Sequence, residues 1–226
     1  MDIQLNFIEQ GQGQPMVLLH GNGEDSSYFV HQIAHFSKSY RIIAIDTRGH
    51  GQSPRGEKPF AIKQFAEDLK DFLDAINIAK AIILGFSDGG NIALEFVLKY
   101  PERVEKLILN GANLFPGGVK AMYQWPIEVG YRIAKLFSQK SEKAKQNAEM
   151  LGLMVNEPHI DPSELARLTM PVLVVAGTKD MIKESHTRLI YKNLPNAQLA
   201  FVEGDHFVAN KNAEAFNKVV EDFLSR

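Results

Sequence analysis

The chain contains no cysteine among its 226 residues. That absence excludes disulfide bridges, thiolate zinc sites, iron–sulfur clusters and a cysteine nucleophile. Long hydrophobic runs are also missing, because no apolar stretch approaches the ~20 residues that a membrane-spanning helix needs. Residues 1–6 lack the basic and apolar pattern of a signal peptide. We therefore expect a cytoplasmic protein without a membrane span.

The chain also lacks a large excess of positive or negative charge. The chain has 25 Lys and Arg against 27 Asp and Glu, which gives a net charge of −2. Because proteins that bind a phosphate backbone carry clustered positive charge, nucleic acid is not an expected partner. The hydrophobic fraction of 45% and the charged fraction of 23% are ordinary for a globular protein. The length suits one large domain, or a domain with an insertion.

Hydrophobic patterning predicts alternating strands and helices. Short, continuously apolar runs are typical of strands buried on both faces of a parallel sheet, and they occupy residues 16–19, 42–45, 81–84, 107–109 and 172–176. Residues 2–7 alternate between polar and apolar, which predicts a strand at the sheet edge. Helical stripes follow at 62–76, 92–100 and 216–224. The order predicts an α/β fold, with a mostly parallel central sheet flanked by helices.

One segment interrupts this alternation. Residues 113–168 contain no clear strand, and residues 127–146 have helical spacing. A segment of this length is too long for a plain loop in a compact domain. We predict a helical insertion at 113–168 that divides a core made of residues 1–112 and 169–226.

A serine lies between glycines just after one of the predicted strands. Residues 85–90 read Gly-Phe-Ser-Asp-Gly-Gly and fit the pattern G-x-S-x-G. A strand–turn–helix setting presents the serine hydroxyl outward, as a nucleophile requires. We predict that Ser87 is a nucleophile and that the N–H of Asp88, at the start of the next helix, faces a developing oxyanion. Without that chemistry, the same residues would form a plain glycine-rich turn.

A serine nucleophile needs a base, and the base needs an acid that orients it. His206 follows the apolar run 199–202, so it lies at the strand ends where open α/β sheets bind ligands. Asp180 follows the strand at 172–176 and completes the chain order serine, acid, histidine. Asp205 is the alternative acid, but its side chain is expected to point away from its neighbour His206.

A second backbone donor for the oxyanion should come from a loop near the serine. Residues 20–23 read His-Gly-Asn-Gly and follow the strand at 16–19. The glycines let the backbone approach a substrate closely. We predict that the Asn22 N–H is this donor, with the Gly23 N–H as the alternative.

Taken together, these motifs resemble those of the α/β-hydrolase fold superfamily, in particular its small, cap-bearing serine esterases. The resemblance spans nearly the whole chain and rests on residues 20–23, 46–53, 85–90, 177–180 and 204–206. It implies that residues 46–53 form a structural loop near the active site and that residues 113–168 are a short cap. Members with an aspartate nucleophile, such as haloalkane dehalogenases and epoxide hydrolases, are disfavoured because position 87 is serine.

The resemblance also implies acyl transfer. Ser87 would attack the carbonyl of a small carboxylic ester, His206 would take its proton, and Asp180 would hold the imidazole. No metal and no organic cofactor is required. Phe115, Met122 and Trp125 are predicted to line an apolar pocket for a small ester-like substrate. These side chains could instead form a core within the cap itself.

Three other functions compete with this prediction. The first is a dinucleotide-dependent oxidoreductase, because residues 21–26 resemble the dinucleotide-binding pattern G-x-G-x-x-G, with serine in the last place. That function leaves Ser87, Asp180 and His206 without a role. A small-molecule receptor could keep the same three residues with little turnover. A C–C hydrolase or lyase could use the same pair of serine and histidine. The oligomeric state also stays open, with a homodimer among the alternatives.

Overall fold

The computed structural model describes residues 2–226 as a seven-stranded sheet flanked by helices. The strands are β1 (Phe7–Gln10), β2 (Pro15–Leu19), β3 (Arg41–Ile45), β4 (Ala81–Phe86), β5 (Val104–Asn110), β6 (Val172–Gly177) and β7 (Ala197–Val202). Their order across the sheet is β1-β3-β2-β4-β5-β6-β7. β1 pairs antiparallel with β3, and every other pairing is parallel. The predicted α/β fold with a mostly parallel sheet is confirmed.

Eight α-helices follow the strands within residues 2–226. They are α1 (Val30–Phe36), α2 (Ile62–Ala75), α3 (Asp88–Lys99), α4 (Ala121–Phe137), α5 (Glu142–Asn156), α6 (Glu184–Asn193), α7 (Val208–Lys211) and α8 (Ala213–Leu224). Successive strand residues point to opposite faces of the sheet. Val17 and Ile83 therefore pack with α2, α3 and α6 on one face, while Leu18 and Leu84 pack with α1, α7 and α8 on the other. Burial on both faces explains the continuously apolar runs.

The predicted first strand begins later than its pattern suggests. Ile3 and Leu5 are buried, as alternation requires, but the strand starts only at Phe7. The reason lies at Asn6, whose backbone N–H donates to the Ser53 hydroxyl instead of entering the sheet. Its side chain donates to Asp46, at the end of β3. The Asn6 carbonyl oxygen still accepts the Asp46 N–H at 2.9 Å, so a side chain replaces only the N–H half of the sheet pairing at this residue.

The single helical stretch predicted at 127–146 is wrong in its bounds. Two helices are present, α4 and α5, separated by residues 138–141. Ser141 caps α5 by accepting the N–H of Ala144, which starts a new helix. α4 also begins earlier than predicted and includes Pro126. The two helices form a hairpin between β5 and β6, and whether it acts as a cap stays a prediction.

A buried ion pair holds the loop after β3 against α2. The guanidinium of Arg48, fully buried, donates from Nε and Nη2 to both oxygens of Asp68 at 2.7 Å. It also donates to Asp2, with a shortest distance of 2.6 Å. Because a buried guanidinium without partners is costly, these contacts are expected to keep the loop in one conformation.

Candidate active site

Ser87 lies at a sharp turn between β4 and α3. Its backbone has φ 54° and ψ −120°, which a residue other than glycine rarely adopts. Glycines on both sides make the turn sterically feasible. A Cβ on Gly85 would lie 2.3 Å from the carbonyl oxygen of Gly89, and one on Gly89 would lie 2.0 Å from that of Leu19. The glycines of the motif therefore let α3 approach the sheet.

The structure brings the three predicted relay residues into one hydrogen-bonded line. His206 Nε2 lies 2.9 Å from Ser87 Oγ, and His206 Nδ1 lies 2.7 Å from Asp180 Oδ1. The imidazole and the carboxylate are both buried. Since the three residues are far apart in the chain, only the fold can bring them together. This is the geometry of a nucleophile, a base and an orienting acid.

Asp180 is held in place by its own loop. Its Oδ1 accepts the N–H of Ile182 at 2.9 Å, and its Oδ2 accepts that of Gly177 at 3.2 Å. Gly177 also allows the loops after β6 and β7 to meet, because a Cβ there would lie 2.1 Å from the Asp205 carbonyl oxygen. These backbone contacts hold the carboxylate independently of its hydrogen bond to His206.

The alternative acid has other partners. The carboxylate of Asp205 accepts hydrogen bonds from Lys211 Nζ at 2.5 Å and from the Phe207 N–H at 2.9 Å. It points away from the imidazole of its neighbour His206, as expected. Of these two aspartates, only Asp180 is hydrogen-bonded to the imidazole.

The two residues predicted to supply backbone donors, Asp88 and Asn22, lie in segments that adjoin the Ser87 turn. Asp88 is the first residue of α3, so its N–H has no partner within the helix. Asn22 lies in a turn at residues 21–24. The Glu24 N–H closes this turn by donating to the Gly21 carbonyl oxygen at 3.2 Å, and the Asn22 N–H takes no part in that hydrogen bond. Gly21 packs against the serine turn, because a Cβ there would lie 3.1 Å from Ser87 Cβ.

Side chains tie the two predicted donor residues together. Asn22 Nδ2 donates to Asp88 Oδ2 at 2.9 Å and to the Met150 carbonyl oxygen of α5 at 2.8 Å. Asn91 Nδ2 donates to Asp88 Oδ1 at 3.0 Å. Burial raises the pKa of the Asp88 carboxyl above its usual range. This network connects the loop after β2, the serine turn and the α4–α5 hairpin.

The His20 side chain restrains the loop after β2 through two hydrogen bonds. Its Nε2 accepts the N–H of Thr47 at 3.0 Å, and its Nδ1 lies 2.7 Å from the Gly21 carbonyl oxygen. Since Nε2 accepts, the proton is on Nδ1 and is donated to Gly21. Burial lowers the pKa of His20 to about 4, so the ring is neutral at neutral pH. A neutral ring is what this pair of hydrogen bonds requires.

Gly111 is a site residue that the sequence analysis missed. It follows β5 with φ 64°, and a Cβ there would lie 2.7 Å from His206 Cε1 and 2.9 Å from His206 Nδ1. Only glycine leaves room for the imidazole between Ser87 and Asp180. A signal was present, because Asn-Gly directly after a buried strand marks a turn at the sheet edge where ligands bind.

The three predicted pocket residues lie in different surroundings. Phe115 packs edge-on against the buried ring of His186, with ring centroids 4.6 Å apart. Met122 and Trp125 lie on α4 and are 72% and 69% exposed. Neither is enclosed by the sheet or its helices, so their contact with a substrate stays a prediction.

Neither a metal-binding cluster nor a membrane-spanning helix is found within residues 2–226. No group of three or more His, Asp or Glu side chains within residues 2–226 is arranged to hold a metal ion. In the same part of the chain, no helix is both long and apolar enough to cross a bilayer.

Comparison with known proteins gives the family. A model of the alpha/beta hydrolase fold matches residues 14–142. The human serine hydrolase BPHL is 30% identical, and the alignment covers 98% of this chain and 83% of that protein. 3-Oxoadipate enol-lactonase 2 of Acinetobacter baylyi is 27% identical, with coverage of 100% and 94%. The chain therefore belongs to the α/β hydrolase fold family.

Solved structures agree on the fold. The enol-lactonase from Burkholderia xenovorans matches with a TM-score of 0.83 and 22% identity, over 99% of this chain and 97% of that one. A meta-cleavage product hydrolase from Pseudomonas fluorescens matches with a TM-score of 0.81 and 25% identity, over 99% and 94%. The family model ends before Asp180 and His206, so it carries no information on those two residues.

Proposed function

We propose that the protein is a serine hydrolase that cleaves a small carboxylic ester, or a related acyl compound, through an acyl-enzyme on Ser87. The observation that carries the proposal is the line of hydrogen bonds from Ser87 through His206 to Asp180, at 2.9 and 2.7 Å. Both distances lie within the range expected for a nucleophile, its base and the orienting acid. The relatives named above include hydrolases.

The chemistry would proceed in two steps. In the first, Ser87 Oγ attacks the substrate carbonyl while His206 Nε2 takes the hydroxyl proton and then delivers it to the leaving alcohol. In the second, His206 activates a water that attacks the acyl-enzyme and releases the acid. Asp180 accepts the Nδ1–H throughout, which keeps Nε2 free to act as the base and stabilises the imidazolium that forms.

The oxyanion of each tetrahedral intermediate would be stabilised by the N–H groups of Asp88 and Asn22. Asp88 contributes a helix N-terminus, where backbone N–H groups and the helix dipole favour negative charge. The side-chain bridge from Asn22 to Asp88, at 2.9 Å, supports this role because it restrains the two donor residues relative to each other. Loss of one such donor typically costs ~10²–10³ in rate.

The relatives support an ester or lactone as the substrate class of this proposal. An enol-lactone is a cyclic ester, so the named lactonases are compatible with attack on an ester carbonyl. Of the three predicted pocket residues, Phe115 would supply an apolar contact for a small acyl or alcohol group, whereas Met122 and Trp125 are 72% and 69% exposed. No step in this mechanism uses a metal or an organic cofactor.

A C–C hydrolase is the second candidate function. A 2-hydroxy-6-oxo-6-phenylhexa-2,4-dienoate hydrolase from Burkholderia cepacia is 28% identical over 99% of this chain. Such an enzyme would use the same relay on a carbon–carbon bond beside a carbonyl. A small-molecule receptor with little turnover also remains compatible with the relay.

Labelling with a fluorophosphonate tests the proposal. We expect stoichiometric modification of Ser87 in the wild type, no labelling in Ser87→Ala and strongly reduced labelling in His206→Ala. Asp205→Asn is the matched control, because Asp205 neighbours His206 but contacts Lys211 instead, and it should label like the wild type. Modification of a different residue would refute the assignment of the nucleophile.

Turnover assays separate the candidate functions. A p-nitrophenyl acetate and butyrate series, an aliphatic lactone and a 2-hydroxy-6-oxodienoate are each offered to the wild type and to Ser87→Ala. Sustained, Ser87-dependent ester or lactone hydrolysis supports the proposal. Turnover of the dienoate alone would favour the C–C hydrolase, and a single stoichiometric event without turnover would favour a receptor.

A further inference from the structure

Helix α4 exposes an unusual set of large apolar side chains. Met122, Trp125, Val129, Ile133 and Leu136 are 72%, 69%, 36%, 56% and 74% exposed. Their spacing of three, four, four and three residues places all five within an arc of roughly 80° on the helix surface, since each residue turns the helix by ~100°. We call these five residues the α4 stripe.

The α4 stripe points away from the rest of the molecule. The opposite side of α4 packs on α5, as Gln124 Nε2 donates to the Met154 carbonyl oxygen at 3.4 Å. Tyr131 lies on that same side, against Gly152 of α5. The residues of α4 that face α5 are half-buried, and none of its side chains is fully buried. Nothing in residues 2–226 therefore covers the stripe.

The exposed area is large for a monomer and suitable for a dimer. Large side chains have accessible areas of roughly 150–250 Å², so the exposed fractions leave roughly 600 Å² on one chain. That is the upper end of the apolar patches found on monomeric proteins. Two such stripes buried against each other would cover roughly 1,200 Å², which reaches the range of specific, stable interfaces.

The stripe is symmetric about Val129. Met122 and Leu136 lie seven residues to either side, and Trp125 and Ile133 lie four residues to either side. In an antiparallel pair of α4 helices related by a two-fold axis at Val129, Met122 lies at the same height along the helix as the partner's Leu136, and Trp125 lies at the same height as the partner's Ile133. Because a two-fold interface must be complementary to itself, this match is what dimerisation requires. We propose that the α4 stripe is the interface of a homodimer.

Charges beside the stripe fit the same arrangement. Glu128 and Arg132 lie on one flank of α4, roughly 40° apart around the helix. Within the described part of the chain neither makes an ion pair. A two-fold axis perpendicular to both helices keeps this flank on the same side of the dimer in each chain. Glu128 and the partner's Arg132 are then offset by about 3 Å along the helix axis. Two symmetric ion pairs would therefore border the apolar contact.

This interface gives Met122 and Trp125 a role that their exposure supports better than a place in the substrate pocket. It also explains why α4 is apolar on the side that does not touch α5. An anionic lipid surface is the alternative partner of the α4 stripe, because basic residues such as Lys140 and Lys143 lie near the hairpin tip. A lipid surface needs no symmetry about Val129 and no acidic residue beside the stripe, so we argue the second copy.

Sedimentation velocity tests the proposal on the full chain. We expect the wild type to sediment with twice the 25.3 kDa chain mass. Val129→Lys places two like charges on the axis and should return the protein to a folded monomer, with an unchanged far-UV circular dichroism spectrum because Val129 is exposed and has no part in the core. The matched control, Gln146→Lys, adds the same charge on the exposed surface of α5 and should leave the dimer intact.

Two further experiments fix the geometry. The chain has no cysteine, so oxidation of Val129→Cys should cross-link the two chains, whereas Gln146→Cys should not. Glu128→Arg and Arg132→Glu should each weaken the dimer, and the double variant should restore it. A wild type that stays monomeric at every concentration overturns the proposal. So does a monomer that binds phosphatidylserine vesicles through α4, since that result identifies a lipid surface instead.

Discussion

Replacing Gly111 by alanine is expected to lower kcat/KM for a p-nitrophenyl ester about 100-fold without unfolding the protein. The added Cβ would lie 2.7 Å from His206 Cε1, and an ordinary carbon contact is about 3.5 Å. The imidazole must therefore move by about 0.8 Å. Its bonds of 2.9 Å to Ser87 and 2.7 Å to Asp180 leave no direction in which it can move and keep both. A misplacement of about 1 Å can cost ~10² in rate.

The stability cost of the same change should be modest. Gly111 has φ 64°, and an alanine in this left-handed region costs roughly 1–2 kcal/mol. Circular dichroism melting separates this cost from the loss of activity. Gly117→Ala is the matched control, because a Cβ there meets only the Phe115 ring, at 3.5 Å, an ordinary contact. Full activity in Gly111→Ala would refute the reasoning that glycine is needed to seat the imidazole.

Three other predictions concern the acid, the buried ion pair and acid stability. Asp180→Asn should keep the fold but lower kcat about 10⁴-fold in ester assays, because the amide favours the wrong imidazole tautomer; near-normal kcat would count against the relay. Asp68→Ala should destabilise the protein by about 3 kcal/mol in urea denaturation, because Arg48, fully buried, keeps only Asp2 as an ion-pair partner; an unchanged midpoint would contradict this. The pKa of His20 is lowered from 6.5 in the unfolded chain to about 4 in the folded protein. As the pH falls below 6.5, the unfolded chain therefore binds a proton that the folded protein does not bind. The free energy of unfolding should fall between pH 6.5 and pH 4 by up to about 1.4 kcal/mol per pH unit. Urea denaturation at about pH 7 and about pH 5 measures this fall, which should be smaller in His20→Gln.

The sheet was predictable because its strands are buried on both faces. Each run such as 81–84 or 172–176 lies inside a strand of the structure, since a parallel sheet covered by helices requires apolar residues without interruption. Residues 2–7 were misleading because of one contact with a distant part of the chain. Their side chains alternate as in a strand, but the Asn6 N–H bonds to Ser53, a contact between distant segments that no local pattern reveals.

The convergence of Ser87, Asp180 and His206 was predictable because motif and position agree. Ser87 carries a glycine pattern that its turn requires, and His206 and Asp180 each follow a strand that ends at the same sheet edge. The Asn22 contact to the Met150 carbonyl oxygen was not predictable, because a backbone acceptor on a helix has no residue signature. The same holds for the exposure of Met122 and Trp125, which depends on how α4 packs on α5.

Two polar contacts tie α5 to loops that lie beside the proposed chemistry. One is the Asn22 bond to Met150 of α5, at 2.8 Å. Another is the ion pair of Arg55, in the loop after β3, with Glu149 of α5 at 2.7 Å. Since Asn22 also bonds Asp88, any shift of α5 acts on both proposed oxyanion donors. The hairpin would then influence rate by restraining backbone donors as well as by contacting substrate. Substitution of Glu149 should accordingly lower kcat more than it raises KM.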